Sequence, residues 1–382
     1  MTIAESSPAQ TVRLPRVSNA SGGRDTSGRL TFLDWARGAA VVVMLQGHVF
    51  HSFNRTDLRP GGPFMLSQFF GGIGPAIFLV LTGITLAFLM DRREAQGIDA
   101  MGRWKAALRR AAYLFTLAFL FRLQLWAFAF GQSPWTDLFK VDILNCMGFA
   151  IGLMSVMAIF TTAQRVRLCA GLGIAIASAA PLVSAIDWRW LPPGISAYFV
   201  PSYQYFAFFP WASFIAFGLS IGSVLRLVKP DDMNRVMQWG GLLGFGLVVG
   251  GEYFSNLPYS LYPKSDFWLD SPGLIVIKLG VVMLVIAFAY LWTAFPLGAS
   301  WSWLRQLGTT SLLVYWVHIE LVYGRWFGAF KSSLGNVECG IAAIVVILLM
   351  VGISVLRTRW SSVRAALSSY FAYNQPRAAS GD

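Results

Sequence analysis

Ten apolar stretches occupy most of this chain, and each is long enough to cross a membrane as a single helix. About 20 helical residues span the roughly 30 Å hydrocarbon layer of a bilayer. The first and seventh stretches are the shortest or the most interrupted by polar residues. The ten candidate spans are approximately residues 33–53, 68–90, 106–130, 141–161, 166–186, 204–226, 237–254, 272–293, 307–327 and 338–356. The sequence therefore predicts an all-α, polytopic integral membrane protein with about ten transmembrane helices.

The composition excludes a water-soluble domain and argues against a nucleic-acid partner. Only 13% of the residues are charged and 56% are hydrophobic, whereas soluble domains are about one quarter charged. The net charge of +12 comes from basic residues that lie between apolar runs, not from a solvated basic face of the kind that binds nucleic acid. The three cysteines lie in apolar segments without metal-ligand spacing, so we expect no disulfide framework and no metal site.

The distribution of basic residues predicts the orientation of the chain. Short cytoplasmic loops retain Lys and Arg, and most of these residues fall on one face if the N-terminus lies inside. An even number of spans then places both termini in the cytoplasm. We expect a disordered, uncleaved cytoplasmic tail over residues 1–29, a transmembrane domain over 30–357 and a cytoplasmic C-terminal tail over 358–382. The bilayer is the expected environment, with a bacterial inner membrane as the expected location and an oligomeric state that the sequence leaves open.

The first predicted span carries four ionisable residues. On a helical wheel at about 100° per residue, Asp34, His48 and His51 lie near −60°, +20° and −40° relative to Arg37. All four side chains therefore share one face. Arg37 and His48 are separated by about 16 Å along the helix axis at 1.5 Å per residue. A polar stripe thus runs through much of the bilayer, and ionisable groups at such depth commonly mark functional sites.

Histidine titrates near neutral pH, so it can accept a proton and return it. The chain has three histidines, and the third, His318, lies in the ninth span at a depth comparable with that of His48. These two residues can face each other. A purely structural alternative is also open, in which Asp34 and Arg37 anchor the helix at the interface while the histidines cap or brace helices.

A second polar group joins the third and fourth spans. Arg122 lies deep in the third span, and Asp142 and Asn145 stand three residues apart near the start of the fourth. The last two can point in the same direction on a helix. Either this group contacts a ligand, or a buried Arg–Asp pair holds the two helices together.

Five segments resemble a known family, and they occur in the family's order. The segment Asp34-Trp35-Ala36-Arg37-Gly38, followed by Met44 and His48, resembles the opening of the heparan-α-glucosaminide N-acetyltransferase-like membrane proteins. Its Arg-to-His interval is also similar to that of the acyltransferase-3 family. The other four segments are Gly74-Pro75-Ala76-Ile77-Phe78-Leu79 through Gly83, Asp142-Ile143-Leu144-Asn145-Cys146-Met147-Gly148, Phe209-Pro210-Trp211 through Gly218, and Gly308 through Ser311, Leu312, Tyr315 and His318.

The resemblance implies transfer of an acyl group from a cytoplasmic acyl-CoA, typically acetyl-CoA, to a hydroxyl or amine of a glycan or glycolipid on the far side. It implies that His48 acts as a general base or accepts the acyl group transiently. Arg37 would bind donor phosphate or polarise the carbonyl, and Asp34 would orient Arg37. The residues expected to contact substrate are His51, Arg122, Asp142, Asn145 and His318.

Two departures from the family pattern limit what the resemblance implies. Asn145 stands where the family usually has the longer Gln. The large lumenal domain of the lysosomal member is absent, so heparan sulfate is not carried over as the substrate. The main rival hypothesis is a transporter or flippase for an envelope glycan or lipid-linked substrate, with the polar stripe as its path. A non-catalytic assembly protein is the third hypothesis.

Overall fold

The computed structural model describes residues 30–129, 131–295 and 301–373, with side chains up to residue 360. Within these ranges the chain is helical and forms no strand; the N-terminal tail predicted for residues 1–29 lies outside them. The helices are α1 (Thr31–Phe53), α2 (Gly62–Gly71), α3 (Gly74–Ala95), α4 (Ala100–Phe128), α5 (Ile143–Met154), α6 (Thr162–Ala185), α7 (Pro193–Ser196), α8 (Phe208–Leu227), α9 (Met233–Ser255), α10 (Pro272–Ala294), α11 (Trp303–Thr309), α12 (Ser311–Tyr323) and α13 (Asn336–Tyr373).

Each of the ten predicted spans overlaps at least one of these helices. Six helical segments are long and apolar enough to cross a bilayer by length and composition. These are Gly62–Ala95, Ala100–Phe128, Thr162–Ala185, Phe208–Leu227, Pro272–Ala294 and Asn336–Trp360. Shorter apolar helices cover Ile143–Ile159 and Ser311–Tyr323. The described residues therefore form an all-α integral membrane protein. The number of crossings and the side on which the termini lie stay predictions.

Two predicted spans are divided by short breaks. The second becomes α2 and α3, which meet at Gly72 and Ile73, and Pro75 then occupies the first turn of α3. Proline suits that turn because its missing N–H would have no partner there. The ninth becomes α11 and α12, divided at Thr310, whose φ of −114° and ψ of 18° are not helical.

Helix α1 occupies the centre of the region that holds the ionisable stripe. It packs against α2, α3, α10, α11, α12 and α13. The α3–α8, α6–α8, α9–α10 and α4–α5 pairs form the other extensive contacts. Because α1 contacts helices from both the early and the late parts of the chain, its polar face meets side chains that are far away in sequence.

Candidate active site

A large cavity lies inside the bundle beside α1. Its volume is about 1000 Å³, and its wall comes from α1 to α5, the segment before α8, and α11 to α13. Arginine side chains line one end and His48 lines the other. Most of the side chains between the two ends are apolar: Met44, Phe78, Leu86, Leu89, Leu114, Ile143, Leu144, Met147, Ile151, Phe206, Leu312 and Leu313.

Two histidines from different helices meet at one end of this cavity. Nδ1 of His48 on α1 lies 2.9 Å from Nε2 of His318 on α12. Their ring centroids are 5.2 Å apart and the ring planes differ by 15°, so the rings meet edge to edge. Nδ1 of His318 in turn lies 2.9 Å from the carbonyl oxygen of Val314. His318 is fully buried, whereas His48 is half-buried and lines the cavity.

Tyr323 lies between the histidine pair and the exposed His51. Its ring centroid is 5.4 Å from that of His48, with the planes at 68°, and its hydroxyl oxygen is 3.1 Å from Nδ1 of His51. His51 does not line the cavity. The predicted substrate contact at His51 therefore lies outside the cavity, on the other side of the Tyr323 ring.

Three arginines from three helices line the opposite end. Nη1 of Arg37 on α1 donates to Oδ1 of the buried Asp34 at 3.1 Å. Arg110 on α4 and Arg357 on α13 are exposed and line the same end. The cavity thus joins a cationic end to the histidine pair.

A hydrogen-bond network of polar side chains connects α11, α12 and α13 beside the arginines. Nε2 of Gln306 donates to the carbonyl oxygen of Ser354 at 2.9 Å and to Oγ1 of Thr358 at 3.0 Å. Oγ1 of Thr310 lies 2.5 Å from Oγ of Ser354. Thr310 and Thr358 line the cavity, so their side chains add hydroxyl groups to the cationic end.

Two glycines allow α1 and α11 to touch backbone to backbone. A Cβ atom at Gly308 would overlap the carbonyl oxygen of Asp34, and one at Gly38 would overlap the carbonyl oxygen of Leu304. Small residues permit this approach between membrane helices. The contact holds the Arg37 turn of α1 against the α11–α12 break.

Arg122, Asp142 and Asn145 form a helix-capping group and do not line the cavity. Nε of Arg122 is 3.2 Å from Oδ2 of Asp142, and Oδ1 of Asp142 accepts from the backbone N–H groups of Leu144 and Asn145 at 2.9 and 3.0 Å. Nδ2 of Asn145 donates to the Tyr198 hydroxyl at 3.3 Å. Burial raises the pKa of that phenol, which keeps it protonated. The group fixes the start of α5, whose first turns line the cavity.

Of the eight residues selected from the sequence, Arg37 and His48 line the cavity directly. Asp34 and His318 touch these two residues, and the other four lie outside it. Sequence reasoning missed Arg110 and Arg357. A signal was present, because both arginines belong to the predicted cytoplasmic set of basic residues, Arg110 in the first turns of the third span and Arg357 directly after the tenth. The sequence alone does not show that α4 and α13 converge on the cavity beside α1.

The described ranges 30–129, 131–295 and 301–373 contain no group of three or more His, Cys, Asp or Glu side chains placed to hold a metal ion. Their cysteines, Cys146, Cys169 and Cys339, are buried and unpaired.

The fold and the cavity together define a helical integral membrane protein that carries a cationic end and a histidine pair on one internal path. The family model of the heparan-alpha-glucosaminide N-acetyltransferase catalytic domain matches residues 29–249, more than half of the chain. The chain therefore belongs to this family of membrane acyltransferases, which confirms the resemblance seen in the sequence. No curated protein matches the chain significantly. Arg37, His48 and Arg110 lie inside the matched segment, whereas His318 and Arg357 lie beyond it.

Proposed function

We propose that the protein transfers an acetyl group from cytoplasmic acetyl-CoA to a hydroxyl or amine of a glycan or glycolipid on the opposite side of the membrane. The observation that carries this proposal is the continuous cavity between Arg37, Arg110 and Arg357 at one end and His48 at the other. The excess of basic residues on one face supports a cytoplasmic location for the arginine end.

The arginine end suits the anionic part of the donor. Guanidinium groups bind phosphate through paired, charge-assisted hydrogen bonds, and three of them line the cavity. The exposed side chains of Arg110 and Arg357 can reach a phosphate without full desolvation. The hydroxyl groups of Thr310 and Thr358 can bind the polar nucleotide portion beside the arginines.

The apolar middle of the cavity suits the thioester arm of the donor. Arg37 and His48 are about 16 Å apart along α1, so one donor molecule contacts both residues only when it is extended. In this proposal the separation favours donor phosphate, and not the reacting carbonyl, as the partner of Arg37. Asp34 holds the Arg37 guanidinium at 3.1 Å and thereby orients it.

His48 acts as the general base in this proposal. The acceptor hydroxyl or amine gives its proton to His48 while its oxygen or nitrogen attacks the thioester carbonyl carbon. The carbon–sulfur bond then breaks, and the thiolate of CoA takes the proton back from His48. The products are the acetylated acceptor and the free CoA thiol, so the histidine is unchanged after one turnover.

The acceptor approaches from the side of Tyr323 and His51. The cavity ends at His48 and does not include these two residues, so the acceptor passes beside the Tyr323 ring to reach the base. The tyrosine hydroxyl and the exposed His51 imidazole can bind sugar hydroxyl groups on the way. A contribution of His51 to acceptor binding is thus part of the proposal.

The test uses purified protein in detergent with acetyl-CoA as donor, and with glucosamine and a glucan oligosaccharide as amine and hydroxyl probes. We expect saturable binding of acetyl-CoA and release of CoA thiol that needs an acceptor. His48→Gln should lower the rate of thiol release by at least about 10²-fold and leave acetyl-CoA binding in place.

The matched control is Glu320→Gln, because Glu320 is buried on the same helix as His318 but contacts Trp326 instead of the cavity. This variant should keep the wild-type rate. Absence of acetyl-CoA binding would contradict the proposal. Movement of a glycan across vesicle membranes without acetyl-CoA would instead support the transporter hypothesis.

A further inference from the structure

The hydrogen bonds around His318 determine which nitrogen of each imidazole carries a proton. A backbone carbonyl oxygen only accepts hydrogen bonds, so Nδ1 of His318 carries the proton that it donates to Val314 at 2.9 Å. In neutral His318 the other nitrogen, Nε2, is then an acceptor. Because Nε2 of His318 lies 2.9 Å from Nδ1 of His48, Nδ1 of His48 must be the donor in that contact.

This assignment leaves Nε2 of neutral His48 without a proton. His48 lines the cavity, and Nε2 has no hydrogen-bond partner among the described residues, whereas Nδ1 is held by His318. The edge-to-edge arrangement of the rings, with planes within 15°, places the N–H of one ring in line with the in-plane lone pair of the other. The basic nitrogen of His48 is therefore the one available to a molecule in the cavity.

We propose that His318 is a positioning residue that holds His48 in the tautomer whose Nε2 is the catalytic base. This inference rests on the proposed acyltransferase function and adds to it the identity of the reacting nitrogen. His318 itself does not line the cavity, so it acts through His48 and not on the substrate. That role replaces the substrate contact expected for His318 from the sequence.

The burial of His318 and Val314 explains why the tautomer of His318 is fixed. His318 and Val314 are both fully buried, so water does not compete for the carbonyl oxygen, and an unmade hydrogen bond at such a site costs about 1–3 kcal/mol. A proton on Nε2 of neutral His48 would leave two lone pairs facing each other across 2.9 Å. The arrangement therefore excludes the tautomer that cannot act as a base toward the cavity.

The proton balance of the reaction follows from this arrangement. Nε2 of His48 takes the proton of the acceptor hydroxyl or amine, and Nδ1 keeps its proton in the hydrogen bond to Nε2 of His318. The imidazolium then returns the Nε2 proton to the sulfur of the departing CoA. Both histidines end the cycle in their starting tautomers, so no additional proton donor or acceptor is needed.

The direct test is nitrogen NMR on bilayer-embedded protein labelled with ¹⁵N only in histidine. The chain has three histidines, so the spectrum contains three imidazoles, and the variants His51→Gln and His318→Gln assign them by loss of signals. At a pH where the rings are neutral, we expect protons on Nδ1 and bare Nε2 atoms in both His48 and His318. A proton on Nε2 of His48 would overturn the proposal.

The kinetic test compares His318→Gln with His318→Leu. The glutamine side chain can still accept the Nδ1 proton of His48, whereas leucine cannot. We expect His318→Leu to lower kcat by about 10²-fold with an unchanged KM for acetyl-CoA, and His318→Gln to recover part of that loss. Equal rates in both variants and the wild type, or a raised KM for acetyl-CoA with unchanged kcat, would overturn the positioning role.

The two tests separate this inference from the proposed function. The NMR measurement needs no turnover, so it stands even if the kinetic variant His318→Leu fails to fold or if the protein does not use acetyl-CoA. If the tautomer is as expected while acetyl-CoA neither binds nor reacts, the proposed function fails and the geometry of the pair stands. If acetyl transfer depends on His48 but Nε2 carries the proton, only the role of His318 fails.

Discussion

Arg37 and His48 lie on the same face of α1 and line opposite ends of one cavity. A single continuous helix therefore sets the distance between the cationic end and the histidine pair. Helices that converge on α1 supply the other parts of each end: α4 and α13 bring Arg110 and Arg357, and α12 brings His318. In the proposed mechanism this arrangement separates donor binding from chemistry, so substitutions at the two ends should have different kinetic effects.

Substitutions at the arginine end should weaken donor binding. Arg110→Gln and Arg357→Gln should each raise the KM for acetyl-CoA roughly fivefold, the effect of about 1 kcal/mol expected for an exposed ion pair, with little change in kcat. Steady-state kinetics at low and high salt would measure this, because screening should reduce the difference from the wild type. Arg109→Gln is the matched control, since Arg109 is exposed beside Arg110 but does not line the cavity. Equal KM values in all three variants would remove the arginines from the donor site.

Removal of the α5 cap should lower stability more than it changes substrate binding. Asp142→Ala deletes two hydrogen bonds to backbone N–H groups and the partner of Arg122. A lost cap costs about 1 kcal/mol, and the unpaired, largely buried cation adds to that, so we expect a total of about 3 kcal/mol. Thermal unfolding in detergent would measure the change, with Asp142→Asn as the milder variant. A normal unfolding temperature together with a raised KM for the acceptor would restore Asp142 as a substrate contact.

Close packing of α1 against α11 should not tolerate a side chain at Gly308. Gly308→Ala introduces a Cβ against the carbonyl oxygen of Asp34, and such overpacking costs about 1–3 kcal/mol. Because the displaced turn is the one that carries Arg37, acetyl-CoA binding should weaken along with thermal stability. Gly352→Ala on α13 is the matched control, since a Cβ there meets no neighbour within 4 Å, and it should be neutral or slightly stabilising. Wild-type behaviour of Gly308→Ala would contradict the backbone contact.

The orientation of the chain can be tested on either side of α9, which corresponds to the seventh predicted span, one of the two that are shortest or most interrupted by polar residues. Reporter fusions after Lys229 should be cytoplasmic, with fluorescent GFP and inactive alkaline phosphatase. Fusions after Tyr259 should show active phosphatase and no GFP fluorescence. The same pattern at both positions would mean that α9 does not cross the membrane, and the inverse pattern would place the arginine end outside.

The helical content and the polar stripe could be predicted from the sequence because both depend on short-range periodicity. The helical-wheel projection that placed Arg37 and His48 on one face required only that α1 be a continuous helix. Helix α1 is continuous over Thr31–Phe53. The pairing of Arg122 with Asp142 was one of the two alternatives that the sequence offered, because the two residues lie on consecutive spans. In each case the interacting residues are near in sequence or at matching depths.

The rest of the site depends on how distant helices pack, which periodicity does not encode. Nothing local to Arg110 or Arg357 shows that α4 and α13 approach the cavity. The break at Thr310 lies next to Gly308, which packs against the Asp34 turn of α1, and this contact between distant helices is not visible in the sequence. His51 shares a face with His48 on the wheel, yet the Tyr323 ring from α12 separates it from the cavity.

The central claim is transfer of the acetyl group across the membrane through His48. Inverted and right-side-out membrane vesicles from cells that produce the protein should be incubated with acetyl-CoA labelled in the acetyl group, followed by counting of label in the glycan fraction. We predict incorporation in inverted vesicles, none in intact right-side-out vesicles, recovery after detergent, and none with His48→Gln. Incorporation that persists with His48→Gln, or that is equal in both intact vesicle types, would contradict the account.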